Sequence, residues 1–329
     1  MAHVLLVFGG RSAEHEISCV SAVAILEALD GAGHEVLPVG IDRSGSWHLA
    51  ASGSDPLVAA GPTVSFSIPE GTISGPDGSI PFDVVFPVLH GPFGEDGTIQ
   101  GMFDMAGVRY VGCGVLGSAL AMDKDIAKRL FEHAGLPTAR YRAIHSPEEA
   151  AVADEIGYPL FVKPASMGSS LGVSRVDDPT ALSAALDAAF ALSEKVLLEE
   201  SIPGREIEVA VLEGPRTSLP GEIKLAGEWY DFDAKYKDDT SEFVAPADLT
   251  PSQTEEVRVL AARAFEVLGC VGLARVDFRY HAERGFLVNE VNTMPGFTPI
   301  SGFPKMWLAT GMTYAELCDE LVQLALDRP

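Results

Sequence analysis

Short β-branched runs alternate with amphipathic stretches that carry helix start and stop signals, and this alternation restricts the chain to α/β and α+β architectures. VLLVF (4–8) reads as a buried strand, Gly9 and Gly10 as a turn, and 18–29 as a helix. HEVLPVGID (34–42) and DVVFPVLH (83–90) read as the next strands, so the first third opens as a doubly wound α/β unit. Residues 44–80 are rich in Gly, Ser and Pro, which predicts loops and a small hairpin at the periphery. No internal repeat is visible.

A second unit starts near 115, where the spacing predicts one helix over 115–135, closed by Gly135 and Pro137. SPEEA predicts another helix start, with Ser146 as N-cap, Pro147 at the first helical position and Glu149 three residues after the cap. Strands at 159–164 and 195–200 flank the loop ASMGSSLG (165–172). Beyond 201 the pattern turns strand-rich, with REIEVAVLEG, EIKLAGEW, ARVDFRY (274–280) and GFLVNEVN (285–292). One helix, opened by Thr250, Pro251 and Gln253 and closed by Gly269, interrupts these strands. Residues 229–246 are polar without periodicity, the mark of a lid or a disordered loop.

At 329 residues and 47% hydrophobic composition the chain can form two or three domains with real cores. A net charge of −24 argues against nucleic acid and anionic membrane as partners, and makes any local group of lysines and arginines conspicuous. The apolar runs fall far short of the roughly 18 residues of a membrane span, and the N-terminus lacks a signal peptide's basic start, which predicts a cytoplasmic protein. Cys19, Cys113, Cys270 and Cys318 are far apart without CxxC spacing, as expected of buried reduced thiols.

Chemistry enters with NEVN. Glu290 and Asn292 stand two apart, so on a strand they share a face, and Asp277 and Arg275 share one on ARVDF. If the strands pair, oxygen donors that suit a hard cation such as Mg²⁺ stand together. The same pattern fits a solvated sheet face with an arginine–acid pair across the strands. ASMGSSLG can cradle a phosphate with backbone N–H groups and the Ser169 and Ser170 hydroxyls, or be a flexible turn; it lacks the GK[ST] of a P-loop. Lys163 ends an apolar strand, where a lysine calls for an anionic partner, whereas Lys124 also fits a solvated helix face. His90 opens the glycine-rich HGPFGEDGTIQG (90–101) and reads as a ligand, a base or a structural histidine. Glu14 stands near a helix start, where an acid also stabilises the helix dipole.

In order along the chain, GGRSAEHEIS, HGPFGEDGTIQG, MDK, FVKPASMGSSLGVS, VLLEE, GREIEVAVL, YDFDAKY, ARVDF and NEVNTMPGFTPIS resemble the D-alanine-D-alanine ligases of the ATP-grasp superfamily. The resemblance spans nearly the whole chain, and HGxxGEDGxxQG and ExNTxPG are its specific parts. Arg279 departs from it: the family tends to carry a second apolar residue after VDF, and the departure is not expected to touch the chemistry.

The resemblance implies an ATP-grasp fold in three domains: a pre-ATP-grasp substrate-binding domain over 1–115, a central subdomain over 116–200, and a C-terminal subdomain over 201–329 with the lid at 229–246. Lys124, Lys163 and Ser170 would bind phosphates, with Lys235 brought in by the lid; Glu199, Glu200 and Ile202 would line the adenine pocket, and Glu206 would hold the ribose. Asp277, Glu290 and Asn292 would hold two Mg²⁺ ions, which Mn²⁺ can replace. Glu14 would receive the ammonium of the first D-alanine with His90 near its carboxylate, and Ser301 with the Gly302 backbone would take the second carboxylate. Arg275 and the Gly296 N–H would stabilise the oxyanion, and Tyr236 would join Ser169 and Glu14. The implied reaction is the ATP-dependent joining of two D-alanines through D-alanyl phosphate for peptidoglycan precursors, by a homodimer. A tyrosine at 236 favours the dipeptide over a D-alanine–D-lactate product. An ATP-grasp ligase for other partners, and a nucleotide-binding regulatory protein without turnover, are the competing readings.

Overall fold

The computed structural model describes residues 1–50, 56–225 and 241–328. Its first sheet has the parallel strands β1 (His3–Gly9), β2 (Glu35–Ile41) and β7 (Val84–Val88), with β3 (Trp47–Leu49) antiparallel at one edge, in the order β3-β2-β1-β7. α1 (His15–Gly31) makes the crossover from β1 to β2 and buries Ala22, Ile25 and Leu29. The turn between β1 and α1 requires Gly9: its φ is +88°, and a Cβ there would stand 2.4 Å from the Ile41 carbonyl oxygen.

Residues 44–80 contain the expected small hairpin and further strands. They form β3 and a three-stranded sheet of β4 (Ser65–Ser67), β5 (Thr72–Gly75) and β6 (Gly78–Ile80). Val64 and Ile73 are buried, and Phe66 packs between Trp47 and Phe103 of α2 (Thr98–Ala106), at ring distances of 5.7 and 6.0 Å. Strands of three or four residues are too short to show a period of two among so many turn residues.

The expected helix over 115–135 is two helices, α3 (Val115–Met122) and α4 (Lys124–His133). Asp123 breaks it: its backbone is extended (ψ 99°), and its carboxylate caps α4 by accepting from the N–H groups of Asp125 and Ile126. Lys195 holds the same carboxylate at 2.7 Å. The SPEEA start also differs, for 147–152 form a 3₁₀ turn leading into α5 (Ala153–Ile156), and Ser146 makes no side-chain bond to the helix N-terminus. Glu149 does reach back to the His145 N–H, at 3.1 Å.

The second sheet is antiparallel throughout, in the order β10 (Ser174–Val176), β9 (Leu160–Pro164), β11 (Val196–Glu200), β8 (Tyr141–Ile144), with α6 (Leu182–Phe190) packed on it. The third contains β12 (Arg205–Leu212), β13 (Arg216–Thr217), β14 (Gly221–Leu225), β15 (Ser241–Val244), β16 (Leu273–His281) and β17 (Gly285–Asn292), with the path β15-β14-β12-β16-β17. Residues 241–244 of the expected lid stretch therefore belong to a strand. α7 (Pro251–Val267) covers this sheet; Thr250 and Gln253 form the full reciprocal cap, and Gly269 follows its end at φ +64°. Two helices follow, α8 (Gly302–Thr310) and α9 (Tyr314–Leu326). α9 returns to the first sheet, where Leu317, Cys318 and Leu321 share one core with Val4, Leu6 and Ile25. All four cysteines are buried and free. Among the described residues no helix is long and apolar enough to cross a membrane.

Candidate active site

A cleft of about 670 Å³ opens between the second and third sheets and is closed at one end by loops of the first. Its floor is the β16–β17 pair. Asp277 lies directly opposite Glu290, and Arg275 opposite Asn292, so the four side chains share a face. The register slips after Asp277, because Phe278 pairs with Val288 and leaves Asn289 as an extra residue. Both Asn289 and Glu290 consequently reach the cleft while Val288 and Val291 stay in the core.

The Arg275 guanidinium is bidentate to Asp277, at 2.7 Å for each bond, and lies 3.3 Å from Glu208. Burial opposes its charge, but Asp277 and Glu208 outweigh that and raise its pKa well above the usual arginine value. The Asn292 amide donates to Asp277 at 2.8 Å, and the Lys124 ammonium lies 3.3 Å from Glu290. The donor set of two carboxylates and an amide suits a hard divalent cation, and the cationic groups of Arg275 and Lys124 mark where positive charge is accepted. Among the described residues no group of three or more His, Cys, Asp or Glu side chains assembles as a metal site, here or elsewhere.

Lys124 depends on the helix break, since Asp123 caps α4 and sets Lys124 in its first turn. Its ammonium donates to the Met167 carbonyl at 2.7 Å, tying the 165–172 loop to the floor. Ser169 and Ser170 both have left-handed backbones, φ +51° and +58°, an arrangement that costs of order 1–3 kcal/mol per residue and is typical of ligand-clamping loops. The Ser169 hydroxyl donates to Glu14, so the structure brings these two together across 155 residues.

Lys163 projects from β9, 2.5 Å from Glu199 and 3.3 Å from Asn289 Oδ1, and so joins the second sheet to the third. Behind it the buried Lys128 contacts the other Glu199 oxygen at 2.7 Å. Burial works against the Glu199 charge, but Lys128 and Lys163 overcome it and hold its pKa at about 2. A small slot beside this cluster is lined by Ala139, Phe161, Ile202 and Leu287 together with Glu199 and Glu200. Glu200 lines the slot while its carboxylate is held by Arg140 and Arg284, at 2.9 and 2.8 Å. Arg279, expected to stand apart from the chemistry, instead lines both slot and cleft and pairs with Glu206. Its register position explains this: Arg279 follows Asp277 by two on β16 and so falls on the cleft face, opposite Glu206 of β12.

At the other end of the cleft, His90 is buried and its Nδ1 lies 3.0 Å from the Met294 carbonyl, which places the proton on Nδ1. Nε2 then has no hydrogen-bond partner among the described residues. Burial lowers the His90 pKa, against the opposing charge of Glu14, and keeps the ring neutral. Burial, reinforced by Glu14, raises the carboxyl of nearby Glu95 well above the usual range. Ser301 stands at the N-terminus of α8 without capping it, its hydroxyl instead being 2.7 Å from Thr298 Oγ1. Gly302 is required by crowding, since a Cβ would stand 2.7 Å from Glu208 and 2.8 Å from the Phe243 ring. The free helix terminus suits a carboxylate. Gly296 lies in the same wall, past the end of β17.

Lys235 and Tyr236 lie outside the described residues. Sequence reasoning missed Lys128, Glu208, Asn289 and Glu95. The doublet Asn289–Glu290 interrupts the alternation of β17 and signals a bulge, while Lys128 follows Lys124 by four, one helical turn on the same face.

The model for the N-terminus of D-Ala D-Ala ligases matches residues 3–113, and that for their C-terminus matches residues 130–323. The chain is 46% identical to a D-alanine–D-alanine ligase of Pseudarthrobacter chlorophenolicus over 99% of its length and 94% of the relative's. It resembles the crystal structure of the VanG D-Ala:D-Ser ligase of Enterococcus faecalis with a TM-score of 0.88 and 35% identity, over 98% of this chain and 99% of that one. It also resembles the D-alanine-D-alanine ligase of Coxiella burnetii with a TM-score of 0.86 and 34% identity, over 100% and 96% of the two chains.

Proposed function

Because the chain belongs to the D-alanine–D-alanine ligase family, we propose that it joins two D-alanine molecules at the expense of ATP, supplying a peptidoglycan precursor. The observation that carries this reading is the convergence of Asp277, Glu290 and Asn292 on one sheet face with Lys124 and Lys163 above it.

In this reading the slot beside Glu199 and Ile202 takes the adenine and Glu206 the ribose. Lys163, Lys124 and the backbone around Ser169 and Ser170 receive the phosphates, and Lys235 adds a further cation from the lid. Asp277, Glu290 and Asn292 hold divalent cations, two Mg²⁺ by this assignment, which when bound neutralise charge on the transferring phosphoryl group.

Glu14 receives the ammonium of the first D-alanine, and His90 lies near its carboxylate, with its unprotonated Nε2 turned to a donor such as that ammonium. That carboxylate oxygen attacks the γ-phosphorus of ATP, the bond to the bridging oxygen breaks, and ADP leaves from D-alanyl phosphate. Ser301 and the Gly302 N–H at the α8 terminus hold the carboxylate of the second D-alanine. Its neutral amine attacks the acyl carbon, the C–O bond to phosphate breaks, and the amine's surplus proton is lost. Arg275 and the Gly296 N–H stabilise the oxyanion on the way. D-alanyl phosphate hydrolyses readily, so water must be excluded, which gives the lid its purpose. Tyr236 there would complete a hydrogen-bonded set with Ser169 and Glu14.

The test is product analysis with ATP, Mg²⁺ and D-alanine alone, then with added D-lactate or D-serine. D-alanyl-D-alanine is expected as the main product at neutral pH. A depsipeptide or a D-serine product in its place would overturn the dipeptide assignment, and ATP binding without turnover would favour a regulatory protein.

A further inference from the structure

Two ammonium groups share a single carboxylate at the back of the cleft. Glu199 Oε1 lies 2.5 Å from Lys163 and Oε2 lies 2.7 Å from Lys128. The two lysines are not equivalent. The Lys128 side chain is 1% exposed, donates to Thr138 Oγ1 at 2.8 Å and has its ammonium 5.5 Å from the centre of the Tyr141 ring. Lys163 is more open, lines the cleft and reaches Asn289. Lys128 comes one helical turn after Lys124 on α4, so one helix face carries both.

The charge count gives this arrangement a consequence. A carboxylate paired only with Lys163 would neutralise the cation meant for phosphate, and an incoming nucleotide would have to compete with it. With a protonated Lys128 on the second oxygen, a charge that burial opposes and Glu199 supports, the cluster of two cations and one anion has a net charge of +1. That surplus faces the cleft, because Lys128 is walled in and Lys163 is not. A buried lysine is costly without an anionic partner, and the Glu199 carboxylate meets that need from inside.

We propose that Lys128 is a positioning residue for ATP binding, holding Glu199 from behind so that Lys163 keeps its charge available to the triphosphate. This rests on the reading of the cleft as a nucleotide site, and it adds a residue that never touches the nucleotide. A purely structural Lys128 would affect stability and would weaken all ligands of the site alike. A charge-setting Lys128 affects phosphate-bearing ligands selectively.

The experiment is calorimetric titration of the full-length protein with ATP and with adenosine, comparing the ratio of the two affinities among variants. Any change in the adenine slot cancels in that ratio. Lys128→Met is expected to lower the ratio about tenfold, the usual weight of one hydrogen bond to a charged group. The double variant K128M/E199Q removes one charge of each sign and is expected to restore the ratio to within about twofold of wild type. E199Q alone is expected to raise it. Should K128M not fold, the order of E199Q above the double variant, with the double variant equal to wild type, carries the test alone. Equal losses for ATP and adenosine in K128M, or a double variant no better than K128M, would overturn the proposal. A wild-type protein that binds ATP no better than adenosine would instead overturn the nucleotide reading itself.

Discussion

At the nucleotide end of the cleft, Lys163, Glu199 and Lys128 form a closed cluster, Arg279 is matched with Glu206, and Lys124 lies against Glu290. At the amino-acid end, His90 Nε2 is buried without a polar partner among the described residues, and the neighbouring Glu95 is driven towards its protonated form. The first end is prepared by charges held in pairs together with the one surplus cation of the Lys163–Glu199–Lys128 cluster, so a triphosphate and its cations meet charges that are already stabilised. The second holds a buried, unprotonated ring nitrogen that can only accept, so the partner it lacks is a donor such as the ammonium of a small zwitterion. Stabilised charges suit a highly charged ligand, because the site need not hold bare charges before binding. A neutral buried acceptor suits a ligand of a few atoms, whose specificity must come from one or two polar contacts.

Removing a charge from the paired end has the largest expected effect. Glu290→Gln keeps the shape of the floor and is expected to lower D-alanine-dependent ADP release on the order of 10³-fold, with a melting temperature within a few degrees of wild type. Normal turnover would refute the assignment of Glu290 and with it the floor as a metal site.

The acid limb of stability tests the closed cluster. Glu199 has its pKa depressed from 4.5 to about 2, so its stabilisation is fully present above 4.5 and disappears as pH falls through about 2. Over that interval it is expected to contribute on the order of 3 kcal/mol to the pH dependence of unfolding. Denaturant titrations at stepped pH should show a flatter acid limb in Glu199→Gln; an unchanged limb would mean that the cluster does not hold the carboxylate charged.

His90→Asn sharpens the contrast at the smaller end. Asparagine can retain the donor to Met294 but removes the far nitrogen. KM for D-alanine is expected to rise about tenfold with KM for ATP unchanged, the weight of one polar contact to a charged ligand. A parallel rise in both constants would mean that the two ends are not independent.

Much of the site was legible because its determinants are local. Glu290 and Asn292 share a face through strand spacing alone, and ARVDF repeats the device on the partner strand. Thr250, Pro251 and Gln253 announced α7, which forms with its full reciprocal cap. Other features were hidden for definite reasons. Asn289 enters the cleft through a bulge, a property of how two strands pair rather than of either one. MDKD contains the cap that splits α3 from α4, but the apolar pattern continues across it and masks the break. Lys128 looks like any helix lysine until α4 is laid against Glu199. Arg279 looks peripheral until Glu206 is seen opposite it.

By itself the sequence determined the alternation of elements, the strand faces and the ordered motifs that place the chain in its family. These depend on periods of 2 and 3.6 residues and on side chains bonding to their own backbone, which operate within a few positions. The tertiary structure alone decided which polar groups meet: Lys163 with Asn289 across two sheets, Ser169 with Glu14, and two lysines on one carboxylate. The physical reason is range. Burial and Coulomb energy depend on distance in space, and residues separated by tens to more than a hundred positions acquire a distance only when the elements pack.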